Sequence, residues 1–258
     1  MNPVRDTTKT YDVYTAHLED KLGWAKKFEE ANVLPGRGEL DYSIQYKYNE
    51  VADIMYSRGD AMKDIVPVFT RVLELQKPMM AWHRKSSTSP IESFSKPPKD
   101  KEYVMFSKAY KGLFESYYDV LLLVSKSILL HIDDDLFRQF LKDTIKPGTD
   151  LLIDKLINYK LPDWPVSGPV NYANKLEPLY AAVTETDADK RAELIAAYIK
   201  SFMTKMKGHP LFGKHMLEDY NYMGYWCYAA PAVALVTNTP TDSFKNMRYY
   251  PADYFIEP

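Results

Sequence analysis

Residues 220–237 read YNYMGYWCYAAPAVALVT, eighteen positions without a charged side chain. On a period of 3.6 residues, Met223, Trp226, Cys227, Ala230 and Ala234 cover one arc, while Tyr222, Tyr225, Ala229, Ala232, Val233 and Val236 cover the rest. A helix that is apolar all round is either a central core helix or a membrane span. The strongly apolar part, residues 225–236, would reach only ~18 Å at ~1.5 Å per residue, well short of a hydrocarbon core of ~30 Å. Asn221, Pro231 and Asn238 interrupt or flank it. The stretch therefore predicts a buried helix around which the rest of the chain packs. Gly224, between large aromatics, predicts close approach of a neighbouring helix, and Pro231 predicts a bend near Cys227.

The remainder of the chain supports a helical reading. Among 258 residues there are 21 tyrosines but only 10 glycines, and the prolines are widely spaced. Long helices with short connections need few turn residues, whereas many short strands need more, so the expected fold class is all-α. Lys and Arg number 33 against 35 Asp and Glu. That near-balance carries no footprint of direct nucleic-acid binding, and no membrane partner is expected. One cysteine cannot form an internal disulfide, and the first residues, MNPVRDTTKTYDVY, lack a basic region followed by an apolar run. A cytoplasmic protein is expected.

Apolar residues at spacings of three and four mark a helix over residues 6–32 and another over 42–59, broken at Gly59. Asp60 is placed to cap a third through residue 75, kinked at Pro67. Residues 84–101, rich in Ser, Pro and Lys, predict an exposed loop. Residues 103–132 give the longest helical pattern. Asp133, Asp134 and Asp135 cap a short helix over 136–145, and another covers 150–159. After the proline-rich connection LPDWPVSGPVN, residues 175–185 and 187–206 read as an antiparallel helix pair, with Thr186 and Asp187 capping its second member. The expected organisation is an N-terminal helical module, residues 1–132, and a C-terminal one, residues 133–258, packed into one body.

Catalytic chemistry finds little support in the residues. Cys227 and His215 on a shared helix would be ~18 Å apart, beyond hydrogen-bond reach, so Cys227 reads as a small buried hydrophobe. His17 reads as a helix-surface histidine. Helical di-iron sites need Glu-x-x-His on two helices, whereas only a reversed His215-x-x-Glu218 occurs. The run at residues 133–135 has no acidic counterpart of the kind that holds magnesium in helical prenyl-transfer enzymes, and no glycine-rich phosphate loop follows a strand. No catalytic residue, metal site or cofactor is expected. The alternatives that stay open are a metal-dependent all-α enzyme acting on a diphosphate-type substrate through Asp133–Asp135, and a helical adaptor.

Several short motifs point further: Arg5-Asp6 before the first helix, Tyr56-Ser57-Arg58-Gly59, Pro178-Leu179-Tyr180, the helix DADKRAELIAAYIKSFM, Tyr222-Met223-Gly224-Tyr225-Trp226 and Tyr249-Tyr250-Pro251-Ala252-Asp253. In order and spacing the chain resembles the all-helical immunity proteins of the PoNi type, encoded beside bacterial polymorphic DNase toxins. It differs in carrying Ala229 where the family usually has a glutamate. The resemblance implies a non-enzymatic immunity protein that neutralises a cognate nuclease toxin, of the restriction-endonuclease-like kind delivered by secretion systems in interbacterial competition. A nuclease presents a cationic cleft to DNA, so an inhibitor gains association rate and register by offering carboxylates to it. In residues 131–258 carboxylates outnumber Lys and Arg 17 to 14. The expected toxin-binding positions are the acidic residues at helix starts, Asp133, Asp134, Asp135, Glu185, Asp187 and Asp189, with Glu218 and Asp219 before the apolar stretch.

Overall fold

The computed structural model describes residues 4–32, 40–78, 114–207, 209, 212–216 and 222–254. Among these every regular element is helical: α1 Tyr11–Asn32, α2 Leu40–Arg58, α3 Met62–Glu74, α4 Phe114–Leu129, α5 Asp134–Thr144, α6 Leu151–Lys160, α7 Ala173–Ala182, α8 Ala188–Lys205 and α9 Ala229–Val236, with single 3-10 turns at Lys214–Met216 and Ala252–Tyr254. The fold class is all-α. The loop at 84–101, residues 103–113 of the long helical pattern, and Glu218 and Asp219 lie outside the described residues.

Two compact units emerge, neither continuous in sequence. The first gathers Met1–Ala109, Asp135–Thr144 and Gly213–Tyr225; the second gathers Tyr110–Asp134, Ile145–Phe212 and Trp226–Pro258.

In the first unit α1, α2 and α3 run up, down and up. α1 turns a stripe of Tyr14, His17, Leu18, Lys21 and Ala25 inward, at the spacing that puts residues on one helix face. Antiparallel pairing with α2 is pinned by Lys21 to Glu50 at 3.6 Å and by Tyr48 Oη donating to Glu29 at 3.1 Å. Burial lowers the Lys21 pKa, with Glu50 opposing that shift. The pairing of α2 with α3 is fixed where Gln45 Nε2 donates to the Val72 carbonyl and to Gln76 Oε1, both at 2.9 Å. Asp60 does not cap α3. Its carboxylate is taken by Arg58 through Nε at 2.9 Å and Nη2 at 2.6 Å, and Ala61 occupies the cap position without a side-chain bond. The helix continues through the exposed Pro67.

The second unit packs α4, α6, α7 and α8 around α9. α9 answers to the core helix expected from sequence, but only over eight residues. Ala229, Ala230, Ala232 and Ala234 are fully buried, and their small side chains let four helices approach one short helix. The expected single helix over 220–237 is corrected: residues 222–227 are not helical. Gly224 has φ of 97°, open to glycine and strained for other residues, and the Cys227 N–H donates to the Tyr249 carbonyl at 2.8 Å rather than to a preceding turn. Pro231 bends no axis, because it sits in the first turn of α9, where amide groups have no intrahelical acceptor to lose.

Candidate functional site

Much of the sequence singled out by its motifs is used inside the fold. In the first unit, Arg5 and Asp6 place their amide groups on the Ser57 carbonyl at 3.0 and 3.2 Å. The Arg5 guanidinium donates to the carbonyls of Tyr56 and Asp60 at 2.9 and 2.8 Å and lies 4.5 Å over the Tyr56 ring. Ser57 Oγ donates to the Met223 carbonyl, and Tyr222 Oη donates to Asp6 Oδ2, each at 2.5 Å. Burial, then the bond to Asp6, raises the Tyr222 pKa.

His17 completes this brace. It is not a surface residue: it is buried, and its Nδ1 donates to the Tyr222 carbonyl at 2.9 Å. Because a carbonyl only accepts, the ring carries its proton on Nδ1. Tyr14 stacks with Tyr222, 6.4 Å between centroids. Tyr222 and Met223 are thereby fastened to α1 and to the end of α2.

A second brace lies at the start of α6. Asp150 accepts from the amides of Leu152 and Ile153 at 3.0 and 3.1 Å, satisfying two donors that the helix itself leaves unpaired. The same carboxylate accepts from Tyr117 Oη at 3.1 Å, Tyr180 Oη at 2.6 Å and Asn171 Nδ2 at 3.0 Å. Burial raises the Asp150 pKa against the pull of these bonds. One turn on, Asp154 accepts from Trp164 Nε1 at 2.9 Å and from the Gly168 amide at 3.0 Å. The proline-rich connection is thus strapped onto α6. A Cβ at residue 168 would stand 2.4 Å from the Asp150 nitrogen, so only glycine fits there.

The acidic positions are arranged differently. Asp133, Asp134 and Asp135 are exposed, and Asp134 pairs with Lys160 at 2.6 Å. Asp187 caps α8, its Oδ1 accepting from the Lys190 amide at 3.0 Å, and it is exposed. Glu185 Oε1 accepts from the amides of Thr186 and Asp187 at 2.7 and 3.0 Å. These backbone donors hold both carboxyl groups below their ordinary pKa. Asp189 is exposed in the first turn of α8. Arg191 ties the turn down, donating to the Glu185 and Thr186 carbonyls at 3.2 and 2.8 Å and to Thr239 Oγ1 at 3.0 Å. Glu185, Asp187 and Asp189 therefore share one rigid turn.

Cys227 is fully buried, and burial pushes its thiol pKa far up, which suits a hydrophobe and not a nucleophile. His215 Nδ1 is 2.9 Å from Tyr225 Oη. Among the described residues no group of three His, Cys, Asp or Glu side chains is placed to hold a metal ion, and no helix is long and apolar enough to cross a membrane.

The chain has the fold of protein PA2201 from Pseudomonas aeruginosa, whose crystal structure superposes with a TM-score of 0.69 at 14% identity, covering 98% of this chain and 91% of that one. No curated protein matches the chain significantly. Residues 148–254 match the family described as PoNe immunity proteins (PoNi), C-terminal.

Proposed function

From the match of residues 148–254 to the family described as PoNe immunity proteins (PoNi), C-terminal, we propose that this chain is an immunity protein whose work is binding and not catalysis. Its partner is a cognate nuclease toxin of the restriction-endonuclease-like, secretion-delivered kind. It blocks that toxin by covering its DNA-binding or active-site cleft inside the cytoplasm of the producing cell, without touching nucleic acid or membrane itself. The family match carries the reading.

The site favoured by physical argument is the turn of Glu185, Asp187 and Asp189, joined by Asp133, Asp134 and Asp135, with Glu218 and Asp219 as further positions. A carboxylate already fixed by backbone donors loses little side-chain freedom on meeting a cationic cleft, so more of its attraction reaches the complex. Glu185 and Asp187 meet that condition.

The test is co-expression with the nuclease encoded beside the gene, together with binding kinetics. The chain should protect cells and bind the nuclease. Reversing Glu185, Asp187 and Asp189 together should slow association, flatten its salt dependence and abolish protection while leaving the helical spectrum intact. Lack of protection by the unaltered chain would refute the function. Unchanged binding after reversal there and at Asp133–Asp135 would refute the site.

A further inference from the structure

The outward face of α1 is built in a way the fold itself does not require. Gly23 sits in the middle of Tyr11–Asn32, where glycine is the poorest helix former apart from proline, and a Cβ there would meet nothing within 4 Å. Among the described residues no neighbour needs the space. Counting 100° per residue, Gly23 lies opposite the buried stripe of Tyr14, Leu18, Lys21 and Ala25, at the centre of the exposed surface. Two large apolar side chains flank it: Leu22 is 41% exposed and Trp24 44% exposed. Trp24 is held in place, with Phe28 at 5.6 Å and the Lys27 ammonium 4.8 Å over its ring.

Charge indicates what this surface meets. Around Gly23 the face carries Glu19 and Asp20 toward the N-terminus and Lys26 and Lys27 toward the C-terminus. Two copies of α1 crossing antiparallel at Gly23 bring position 23 minus k of one against position 23 plus k of the other. Glu19 then faces Lys27 of a second copy and Asp20 faces Lys26, and two-fold symmetry makes each pair twice. The parallel arrangement would set like against like. We propose that the chain self-associates through an antiparallel pairing of α1 centred on Gly23, whose missing side chain lets the two helix backbones close up while Leu22 and Trp24 seal the edges. Glycine in a helix serves such close approach, and this surface is independent of the acidic turn offered to the toxin.

The experiment is sedimentation velocity and light scattering on the full chain from low to high micromolar concentration. The expected result is a shift toward twice the 29.9 kDa of one chain, weakened by salt. Gly23→Gln should give a monomer at every concentration and yet melt higher, because glutamine forms helix better than glycine and the site is open. Glu19→Lys and Lys27→Glu should each be monomeric, while an equimolar mixture of the two should recover the dimer, since one copy then offers two positive positions to two negative ones. A monomeric parent chain, a dimer indifferent to Gly23→Gln, or a mixture that stays monomeric would each overturn the proposal. Loss of toxin binding in Gly23→Gln of a monomeric parent would also overturn it, by giving the face to the toxin.

Discussion

The hydroxyl of Tyr222 donates to the carboxylate of Asp6 at 2.5 Å across 216 positions of sequence. With His17 on the carbonyl of the same tyrosine, it fastens Tyr222 to the N-terminal part of the first unit. A hydrogen bond to a charged acceptor contributes about 1.5–3 kcal/mol, and removing the hydroxyl leaves Asp6 with one partner fewer. Tyr222→Phe should lower stability by about 2 kcal/mol, read as a lower urea midpoint at unchanged slope. No shift in midpoint would mean the bond adds nothing.

α9 should tolerate no charge. Ala230 is fully buried where α9 meets its neighbours, so Ala230→Asp places a carboxylate where water cannot reach. The cost of several kcal/mol is comparable with the roughly 5–15 kcal/mol that holds a domain together. The variant should be insoluble or lack a cooperative melt, and a soluble protein with a parental melting curve would contradict the placement of α9.

His209 makes stability depend on pH. Burial, then the charge of Lys175, lowers its pKa to about 4. The unfolded chain, with histidine near its ordinary value of roughly 6.5, binds the proton more readily across that window. Stability is therefore greatest above about pH 6.5 and falls as pH drops toward 4, by at most about 3 kcal/mol. His209→Phe keeps a ring against Tyr118, 5.4 Å away in the native chain, and cannot titrate. Its stability should change less between those pH values, and an identical slope would assign the dependence to other groups.

Asp187 caps α8, and the proposed function gives its charge a second purpose that substitutions can separate from the first. Asparagine caps a helix about as well as aspartate but carries no charge. Asp187→Asn should keep the melting temperature and slow association with the toxin, whereas Asp187→Ala should lower both. Equal association rates for Asp187→Asn and the parent would remove this carboxylate from the interface.

The helical class was legible because it rests on local pattern. The spacing of Tyr14, Leu18 and Ala25 specifies α1, and scarce glycine leaves little room for strands. Asp187 as a cap was legible for the same reason, a short acidic side chain just before a periodic run. Residues 222–228 were not. An apolar run has the same composition whether helical or extended, and what decides here is the Tyr249 carbonyl taking the Cys227 amide. His17 was misjudged because its partner lies 205 positions away. The grip of backbone amides on Glu185 depends on the shape of one turn, which no spacing rule encodes. Asp150 was legible only as the start of a short helix, and nothing local tells that it caps α6 or that Tyr117, Tyr180 and Asn171 converge on it.

The discontinuity of the two units also sets a timetable for synthesis. The first unit has most of its helices when its N-terminal stretch leaves the ribosome, but the residues that close its brace, Tyr222 and Met223, come much later. At about 5–20 residues per second, Tyr222 emerges some 10 s or more after Asp6. During that interval α1 and α2 stand ready while Ser57, Asp6 and His17 wait for their partners. The nascent chain is thus complete in pattern long before it is complete in contacts, and its last-made third finishes its first.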